Sequence, residues 1–397
     1  MKLGIIRERK NPPDKRVVLS PKACKQAIKD YKDLEIIVEP SPIRAYKDEE
    51  YEKLGIKVGT IEDCDVLLGV KEVPIENLIP NKKYFFFSHT IKKQPYNRDL
   101  LRAILDKNIE LYDHEVITNE QGQRVVAFGR YAGIVGAYNG IRAYGIKKAR
   151  FILPKAEDLP NQKALIQELK KVNLGPAKIV LTGKGRVGNG AKEMLDGMGL
   201  QYLSPTAFLE DNSQDAVYTQ IDVLDYNKRK DGRVRDKNDF FDHPEQYESD
   251  FMKFAQKADF FIAGHFYGQG APYLYTRDDA KKTSFNIDVV ADISCDIDGP
   301  VASTIEASTI ADPIYGYNKE TETYDDFRKE GVICVMAVDN LPCELPVDAS
   351  DGFGEQFSNY VLPAFFNNDN QGVLYRARMT EKGHLTERFK YLEDYVS

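Results

Sequence analysis

Two opposite charges follow a short apolar run near residue 70. The stretch DVLLGVKEVP, residues 65–74, has the composition of a buried strand, and it delivers Lys71 and Glu72 just before a proline. A lysine at the end of a buried strand loses hydration, which disfavours its charged form and lowers its pKa. The pair is therefore a candidate for proton transfer.

Further ionisable groups end the next two apolar runs. YFFFSHTIKK ends in His89 and Lys92, and LYDHEVI carries Glu115. Because the carboxyl ends of neighbouring parallel strands face one crevice, we expect Lys71, His89 and Glu115 to converge there, with Glu72 beside them. A lone histidine is more often structural, but a lysine, a histidine and two carboxylates together favour acid–base chemistry.

A glycine fingerprint marks a second site. VLTGKGRVGNGAKEML places Gly183, Gly185 and Gly188 in G-x-G-x-x-G spacing, with Arg186 and Val187 inside the loop. The motif follows an apolar strand and opens a helix, the context in which glycines let a pyrophosphate approach a helix N-terminus. The sequence therefore predicts a dinucleotide-binding fold.

The sequence indicates less clearly whether the dinucleotide is NAD(H) or NADP(H). The residue that binds the adenosine ribose lies roughly 20 positions on, at the end of the next strand. With QYLSP as that strand, the position falls at Ser204 and lacks a carboxylate to reject a 2′-phosphate. Arg186 could pair with that phosphate or with the pyrophosphate. We expect NADP(H) or NAD(H), with NADP(H) slightly favoured.

The segment RERKNPPDKRVVLSP brings several cations close together after the first apolar run. Arg7, Arg9, Lys15 and Arg16 could form an anion pocket, since arginine binds carboxylates bidentately, or could lie on a charged surface loop.

The elements that must position these residues alternate between strands and helices. Short apolar runs such as KLGII, EIIVEP and DVLLGV alternate with amphipathic stretches, which indicates an α/β fold with a parallel sheet covered on both faces. Residues 128–150 have small and apolar side chains at helical spacing and no proline, which indicates one long helix that joins two lobes. The mixed charges of residues 225–239 indicate a solvated loop or hairpin.

Composition excludes several classes of function. A formal net charge of −7 argues against nucleic-acid or anionic-membrane partners, and no apolar run approaches a membrane span. Five scattered cysteines show no metal-ligand or disulfide spacing, and the start lacks the apolar segment of a signal peptide. We expect a reduced, cytoplasmic protein that binds no metal and acts on small molecules, as a monomer or an oligomer.

Several motifs in one order resemble a known family. RVVLSP, LLGVKEVP, FFFSHTIKKQ, LYDHEVITNEQGQRVVAFGRYAG, LTGKGRVGNGA and VDNLPCELPVDAS look like the L-lysine-forming saccharopine dehydrogenases. They resemble still more the lysine–2-oxoglutarate reductase half of the bifunctional lysine-degrading enzyme, within the alanine dehydrogenase/transhydrogenase superfamily. The resemblance implies two Rossmann-like doubly wound domains with a cleft between them. Residues 1–130 plus 345–397 would form the substrate domain, and 131–344 the dinucleotide-binding domain.

The resemblance also implies roles for single residues. It implies an imine-forming reaction that joins lysine and 2-oxoglutarate into saccharopine, with hydride transfer from the nicotinamide. The implied assignments are an acid–base pair of Lys71 and His89, charge-modulating Glu72, Glu115, Lys92 and Asp339, substrate-binding Arg16 and Arg124, and Leu341 among the cofactor contacts.

Alternatives remain open. An alanine dehydrogenase shares the superfamily and a Lys–His pair. Another opine-type reductase would use a different amine, and a nucleotide-binding module would lack catalysis altogether. Three residues depart from the family pattern: Ser204, where an NAD-preferring member would carry an acid, Cys295, and His265, an imidazole where none is expected.

Overall fold

The computed structural model describes residues 1–397, which form two compact units. Unit 1 comprises Met1–Phe128 and Pro346–Ser397, and unit 2 comprises Gly129–Leu345. The substrate and dinucleotide-binding roles that the sequence assigns to residues 1–130 plus 345–397 and to 131–344 stay predictions. None of the helices combines the length and the apolar character needed to cross a membrane.

Unit 1 is built on a six-stranded parallel sheet. Its strands are β1 (Lys2–Ile5), β2 (Glu35–Val38), β3 (Lys57–Val58), β4 (Val66–Leu68), β5 (Lys83–Phe86) and β6 (Glu110–Asp113), with helices α1 (Pro21–Asp30), α2 (Asp48–Glu52) and α3 (Arg98–Asp106) and 3₁₀ turns at Ile75–Asn77, Pro95–Asn97 and His114–Val116. The spatial order is β3-β2-β1-β4-β5-β6, the doubly wound arrangement. Its switch point therefore lies between β1 and β4.

Unit 2 carries a larger, mixed sheet. Its elements are α4 (Gly129–Lys147), α5 (Gln162–Leu169), β7 (Lys178–Thr182), α6 (Arg186–Gly197), β8 (Gln201–Tyr202), α7 (Pro205–Glu210), β9 (Val217–Ile221), β10 (Asn227–Arg229), α8 (Lys237–Asp242), β11 (Tyr247–Ser249), α9 (Met252–Ala255), β12 (Phe260–Ala263), α10 (Arg277–Lys281), β13 (Val289–Asp292), β14 (Ile314–Asn318), β15 (Thr323–Asp325) and β16 (Val332–Met336), with 3₁₀ turns at Ala156–Asp158, Pro244–Gln246 and Leu341–Glu344. The main sheet has the order β15-β14-β16-β13-β12-β7-β9-β8. Strands β14 and β15 run antiparallel at one edge, and the others are parallel. The α/β prediction is confirmed.

The last 52 residues return to unit 1. They form α11 (Pro346–Tyr360), α12 (Val373–Ala377), β17 (Thr380–Glu381), β18 (His384–Leu385) and α13 (Glu393–Val396), with 3₁₀ turns at Leu362–Phe365 and Glu387–Leu392. The Ser350 hydroxyl accepts a hydrogen bond from the Val17 amide at 2.9 Å, and the Met379 amide donates to the Leu111 carbonyl at 2.8 Å. This segment thereby covers the outer edge of β6.

The predicted long helix is α4, and its glycines set the position of α6. A Cβ on Gly133 would overlap the Val187 carbonyl oxygen, and a Cβ on Gly190 would overlap the Arg130 carbonyl oxygen. Helices α4 and α6 therefore pack at backbone contact, which only glycine permits. Because α6 opens at the glycine fingerprint, this packing also fixes the loop before it.

Candidate active site and nucleotide site

Two strand ends at the switch point of unit 1 are joined through Glu8. This buried carboxylate follows β1, and it accepts the Val70 amide at 2.7 Å and the Lys71 amide at 2.9 Å, just after β4. Burial, together with the nearby Asp14 carboxylate, raises the pKa of Glu8 to about 8. The backbone at Lys71 is thus held by a side chain from the neighbouring strand.

Glu72 and His89 form a hydrogen bond within the same crevice. His89 Nδ1 lies 2.5 Å from Glu72 Oε1, and Lys10 Nζ lies 2.9 Å from Glu72 Oε2. Burial alone would raise the pKa of Glu72, but the hydrogen bonds from His89 and Lys10 outweigh burial and hold this pKa well below its usual range. An ionised carboxylate only accepts hydrogen bonds, so Nδ1 carries the proton and Nε2 of a neutral ring is left as a base.

The loop that carries His89 is fixed by buried polar groups. The Asn97 side-chain amide donates to the Ser88 carbonyl at 2.8 Å and to Glu72 Oε1 at 3.2 Å. The Ser88 amide and hydroxyl both donate to Asp113, a buried carboxylate at the end of β6. His89 itself adopts a left-handed backbone conformation with φ of +52°, a strained conformation of a kind that clusters at functional sites.

The ammonium group of Lys71 lies in a partly buried, cationic environment. Burial lowers its pKa, and the charges of Arg16 and Lys10 lower it further. Asp14 and Glu72 act in the opposite direction and limit the shift. The pKa shift expected from the sequence for this lysine therefore has the direction found in the structure. A lysine in this state can give up its proton more easily than one in water.

Arg16 is buried and oriented by Asp14. Its Nε and Nη2 donate to the two carboxylate oxygens at 3.0 and 2.6 Å, and its guanidinium lies 4.2 Å from the centre of the Phe128 ring. Burial raises the pKa of Asp14, but Arg16 outweighs burial and brings this pKa down to about 2. The pair is therefore ionised at neutral pH.

The other cations of the segment after β1 differ in their contacts. The Arg7 amide and the Arg9 guanidinium bind Glu39, which follows β2, and Lys15 is exposed. The Arg9 guanidinium is thus engaged by a carboxylate of the chain itself, and the choice between an anion pocket and a charged surface loop stays a prediction for these cations.

Three further predicted site residues also lie on unit 1. Arg124 is half-buried, donates from Nε to the Val126 carbonyl at 3.0 Å and lies 5.3 Å from the Phe87 ring centre. No hydrogen bond joins the Glu115 carboxylate to Lys71 or His89, and Lys92 is exposed on unit 1. Their assigned roles remain predictions.

Sequence reasoning missed four members of this cluster: Glu8, Lys10, Asp14 and Asn97. The first three follow β1, and the rule that ligand-binding groups follow strand ends at a switch point could have identified them. Asn97 had no comparable signal, because it lies in a 3₁₀ turn whose path depends on packing.

In unit 2 the three fingerprint glycines serve different purposes. Gly183 has φ of +90°, and a Cβ there would lie 2.5 Å from the Gly264 carbonyl oxygen, while a Cβ on Gly188 would overlap the Gly183 carbonyl. Gly185 caps α6 and has no atom within 4 Å of its Cβ position. Gly183 and Gly188 are therefore needed for packing. Gly185 leaves open space at the N-terminus of α6, and we call this loop, residues 183–188, the glycine cradle.

A cavity of about 520 Å³ opens from this cradle. Gly183, Lys184, Gly185, Arg186 and Val187 form one wall, and the groups opposite include Asp222, Tyr226, Lys237, His265 and Phe266. The cradle and the cavity fit the pyrophosphate and the adenosine half of a dinucleotide.

The structure corrects the position assigned to the ribose. Ser204 does not end the strand beside β7: β8 pairs only with β9, and Ser204 caps α7 by accepting the Ala207 amide at 3.3 Å. On the side of β7 where β8 lies, the strand that pairs with β7 is β9, and Asp222 follows it. Burial raises the pKa of Asp222, but the hydrogen bond from Lys237 at 2.8 Å outweighs burial, so the pKa lies below its usual value.

Three residues near the end of the main sheet of unit 2 do not line this cavity. Leu341 is buried and packs toward Gly136 of α4, and Asp339 is exposed after β16. The Cys295 thiol donates to the Ala337 carbonyl at 3.2 Å, and burial raises its pKa to about 12. The cofactor contact of Leu341 and the charge-modulating role of Asp339 remain predictions.

A doubly wound sheet in each unit, with a glycine cradle after β7 of the second, defines a two-domain α/β protein of the dinucleotide-binding class. Family models for the N-terminal and C-terminal domains of alanine dehydrogenase/PNT match residues 4–135 and 160–390. The chain belongs to this family, and the superfamily resemblance inferred from the motifs is confirmed.

The relatives within this family differ in length. Alpha-aminoadipic semialdehyde synthase of Mus musculus is 30% identical over 98% of this chain, but only 47% of that relative is covered. The chain thus spans about half its length. Saccharopine dehydrogenase [NAD(+), L-lysine-forming] of Yarrowia lipolytica is 27% identical, with 88% of this chain and 89% of the relative covered. A solved L-alanine dehydrogenase shares the fold, with a TM-score of 0.69 and 16% identity over the whole of both chains.

Proposed function

We propose that the chain is an NAD(H)-dependent oxidoreductase that joins L-lysine to 2-oxoglutarate through an imine, reduces the imine to saccharopine, and catalyses the reverse. One observation carries the proposal: the Glu72–His89 hydrogen bond lies beside a lysine of lowered pKa at a sheet switch point. The saccharopine dehydrogenase and the alpha-aminoadipic semialdehyde synthase among the relatives support this pair of substrates.

Imine formation requires two proton-handling groups. The substrate amine must be neutral to attack the 2-oxo carbon, and the carbinolamine must lose its oxygen as water. Lys71 accepts the amine proton, because burial and neighbouring cations favour its neutral form. His89 accepts and returns protons at Nε2, since Glu72 holds Nδ1. A nicotinamide dinucleotide, which the glycine loop of unit 2 would hold, would supply a hydride. Because the imine is protonated on nitrogen, hydride addition to its carbon leaves the N–H of the product amine.

Arginines orient the dicarboxylate. Asp14 engages two of the five N–H donors of Arg16 and fixes the plane of the guanidinium. In this proposal Arg16 and Arg124 bind the substrate carboxylates, so that the 2-oxo carbon is held within reach of Lys71 and His89. Such positioning converts the encounter of two substrates into an effectively unimolecular step.

We assign NAD(H), and not NADP(H), as the preferred cofactor. Asp222 lies at the end of the strand beside β7 and lines the cavity of the glycine cradle. A carboxylate at this position accepts hydrogen bonds from the ribose hydroxyls and disfavours a 2′-phosphate.

The test is an initial-rate assay of nicotinamide oxidation with 2-oxoglutarate and lysine, run with NADH and with NADPH. Ornithine with 2-oxoglutarate, and ammonia with pyruvate, serve as parallel substrate pairs. We expect oxidation that depends on lysine and is faster with NADH. Turnover only with ammonia and pyruvate would indicate an alanine dehydrogenase, and turnover with another amine a different opine-type reductase. Dinucleotide binding without any turnover would indicate a non-catalytic module.

A further inference from the structure

His265 is a buried imidazole that the proposed chemistry does not use. It follows β12, the strand on the other side of β7 from β9, and only 7% of its surface is exposed. A Cβ on Gly183 would lie 2.9 Å from the His265 Cα, so this residue lies directly against the glycine cradle. Burial lowers its pKa to about 4, and the ring is therefore neutral at physiological pH.

One nitrogen of this ring has a partner and the other does not. Nδ1 lies 2.8 Å from the Thr182 hydroxyl at the end of β7, whereas no group hydrogen-bonds to the buried Nε2. When the hydroxyl donates to Nδ1, the single proton of the neutral ring resides on Nε2. A buried donor without a partner costs free energy, and such groups in native structures call for an explanation.

The surroundings of the ring indicate what the missing partner is. His265 lines the 520 Å³ cavity of the cradle and also an adjoining cavity of about 290 Å³, and both cavities share Val223, Tyr226, Phe241 and Phe266. Phe266 is 81% exposed, so its ring is accessible for stacking on a planar ligand. Because Asp222 lies in the same cavity, this is the adenosine side of the site.

We infer that His265 binds the ADP half of the dinucleotide, by donating a hydrogen bond from Nε2 to an oxygen or ring nitrogen of the ligand. The inference rests on the proposed use of a dinucleotide and adds a contact outside the glycine motif. Thr182 acts on this contact indirectly, because it fixes which ring nitrogen carries the proton.

Two variants distinguish the contributions of Nδ1 and Nε2 to ligand binding. The amide of His265→Gln reaches the position of Nε2, whereas the amide of His265→Asn reaches only that of Nδ1 and keeps a partner for Thr182. Dissociation constants for NADH, from its fluorescence, and for ADP, from calorimetry, are measured on the full chain. We expect His265→Asn to weaken both ligands about tenfold and His265→Gln to stay within about threefold of the parent.

Equal affinities in the parent and His265→Asn would overturn the inference, as would a loss confined to NADH with ADP unaffected. No binding of NADH or ADP by the parent would overturn the proposed function as well, so the two failures are distinguishable. If His265→Asn does not fold, the unmodified chain still decides: it has five histidines, and ADP should shift the Nε2 resonance of His265 in nitrogen-15 spectra. An unmoved resonance at saturating ADP would contradict the contact.

Discussion

Lys71 differs from the other lysines of unit 1 in its environment, and its replacement tests the acid–base assignment. Lys71→Met keeps the length of the side chain and removes the amine. We expect kcat to fall by about a hundredfold or more, the range for general acid–base groups, while NADH affinity stays unchanged. Lys25→Met, at an exposed position on α1, is the matched control. A folded Lys71→Met chain with parental turnover would contradict the assignment.

Asp222 and Ser204 offer a direct comparison of the structure with the sequence pattern. Asp222→Asn removes the charge that disfavours a 2′-phosphate, and we expect the preference for NADH over NADPH to fall about tenfold, measured as a ratio of kcat/KM values. Ser204→Ala should cost stability through the lost α7 cap but leave that ratio unchanged. A ratio that changes in Ser204→Ala but not in Asp222→Asn would indicate that Ser204, and not Asp222, contacts the ribose.

Glu8 gives the folded chain a dependence on pH that can be measured without substrate. Burial raises its pKa from 4.5 to about 8, so the folded state binds more protons than the unfolded state between these values. The stabilising contribution is full below pH 4.5 and is lost as the pH rises through 8.

In Glu8→Gln this dependence disappears. Urea unfolding at pH 5 and pH 8 should therefore show a loss of stability in the parent that exceeds the loss in the variant by at least about 1 kcal/mol. Other buried acids such as Glu344, whose pKa burial raises to about 7, contribute equally to both chains and cancel in the comparison. Equal losses in the two chains would mean that Glu8 ionises in the folded state as it does in water.

At the scale of elements, substitutions of Gly133 and Gly185 test whether different glycines determine the packing of α6 and ligand binding at its N-terminus. Gly133→Ala forces a methyl group into the Val187 backbone, and we expect a loss of about 2 kcal/mol in the free energy of unfolding. Gly185→Ala meets no atom, so stability should stay within about 0.5 kcal/mol while NADH affinity falls at least tenfold, because the methyl group occupies the cradle. Denaturant curves and NADH titrations of both variants measure these effects.

The order of strands in unit 2 is a feature of the fold that the sequence did not predict. The hydrogen bond between Glu72 and His89 follows from a rule that applies to the sequence, because parallel strands of one sheet end at one edge. The convergence of Lys71 with His89 stays a prediction. Strand β9 was overlooked, although the β-branched and aromatic residues of VYTQI favour a strand. Chain order also does not say that β9, and not β8, lies beside β7, since pairing depends on packing across the whole sheet.

A local signal could nevertheless have excluded Ser204. It precedes Pro205 at the start of a helix, just as Ser20 precedes Pro21 at α1, and both serines cap the helix that follows. Serine followed by proline predicts a helix start and not a strand end. The same rule correctly located α1.

At the scale of the whole molecule, unit 1 is discontinuous: its sheet comes from the first 128 residues and its final cover from the last 52. Strand β6 lies at the edge of that sheet, and an uncovered edge invites pairing with other chains. The returning segment occupies this edge through Met379 and Thr380. The sheet that carries Glu72 and His89 is therefore completed at its edge by residues more than 200 positions away in the chain.

Thr380 is the residue where this dependence can be measured. Its fully buried hydroxyl accepts the Leu111 amide at 2.9 Å and donates to the Ile109 carbonyl at 2.7 Å. Thr380→Val keeps the shape but leaves both backbone groups without partners, and we expect a loss of about 2 kcal/mol together with faster proteolytic release of the C-terminal segment. Thr380→Ser retains the hydroxyl and should recover most of the loss. If Val and Ser destabilise equally, the segment is held by apolar packing alone, and the hydrogen bonds at the edge of β6 contribute nothing net.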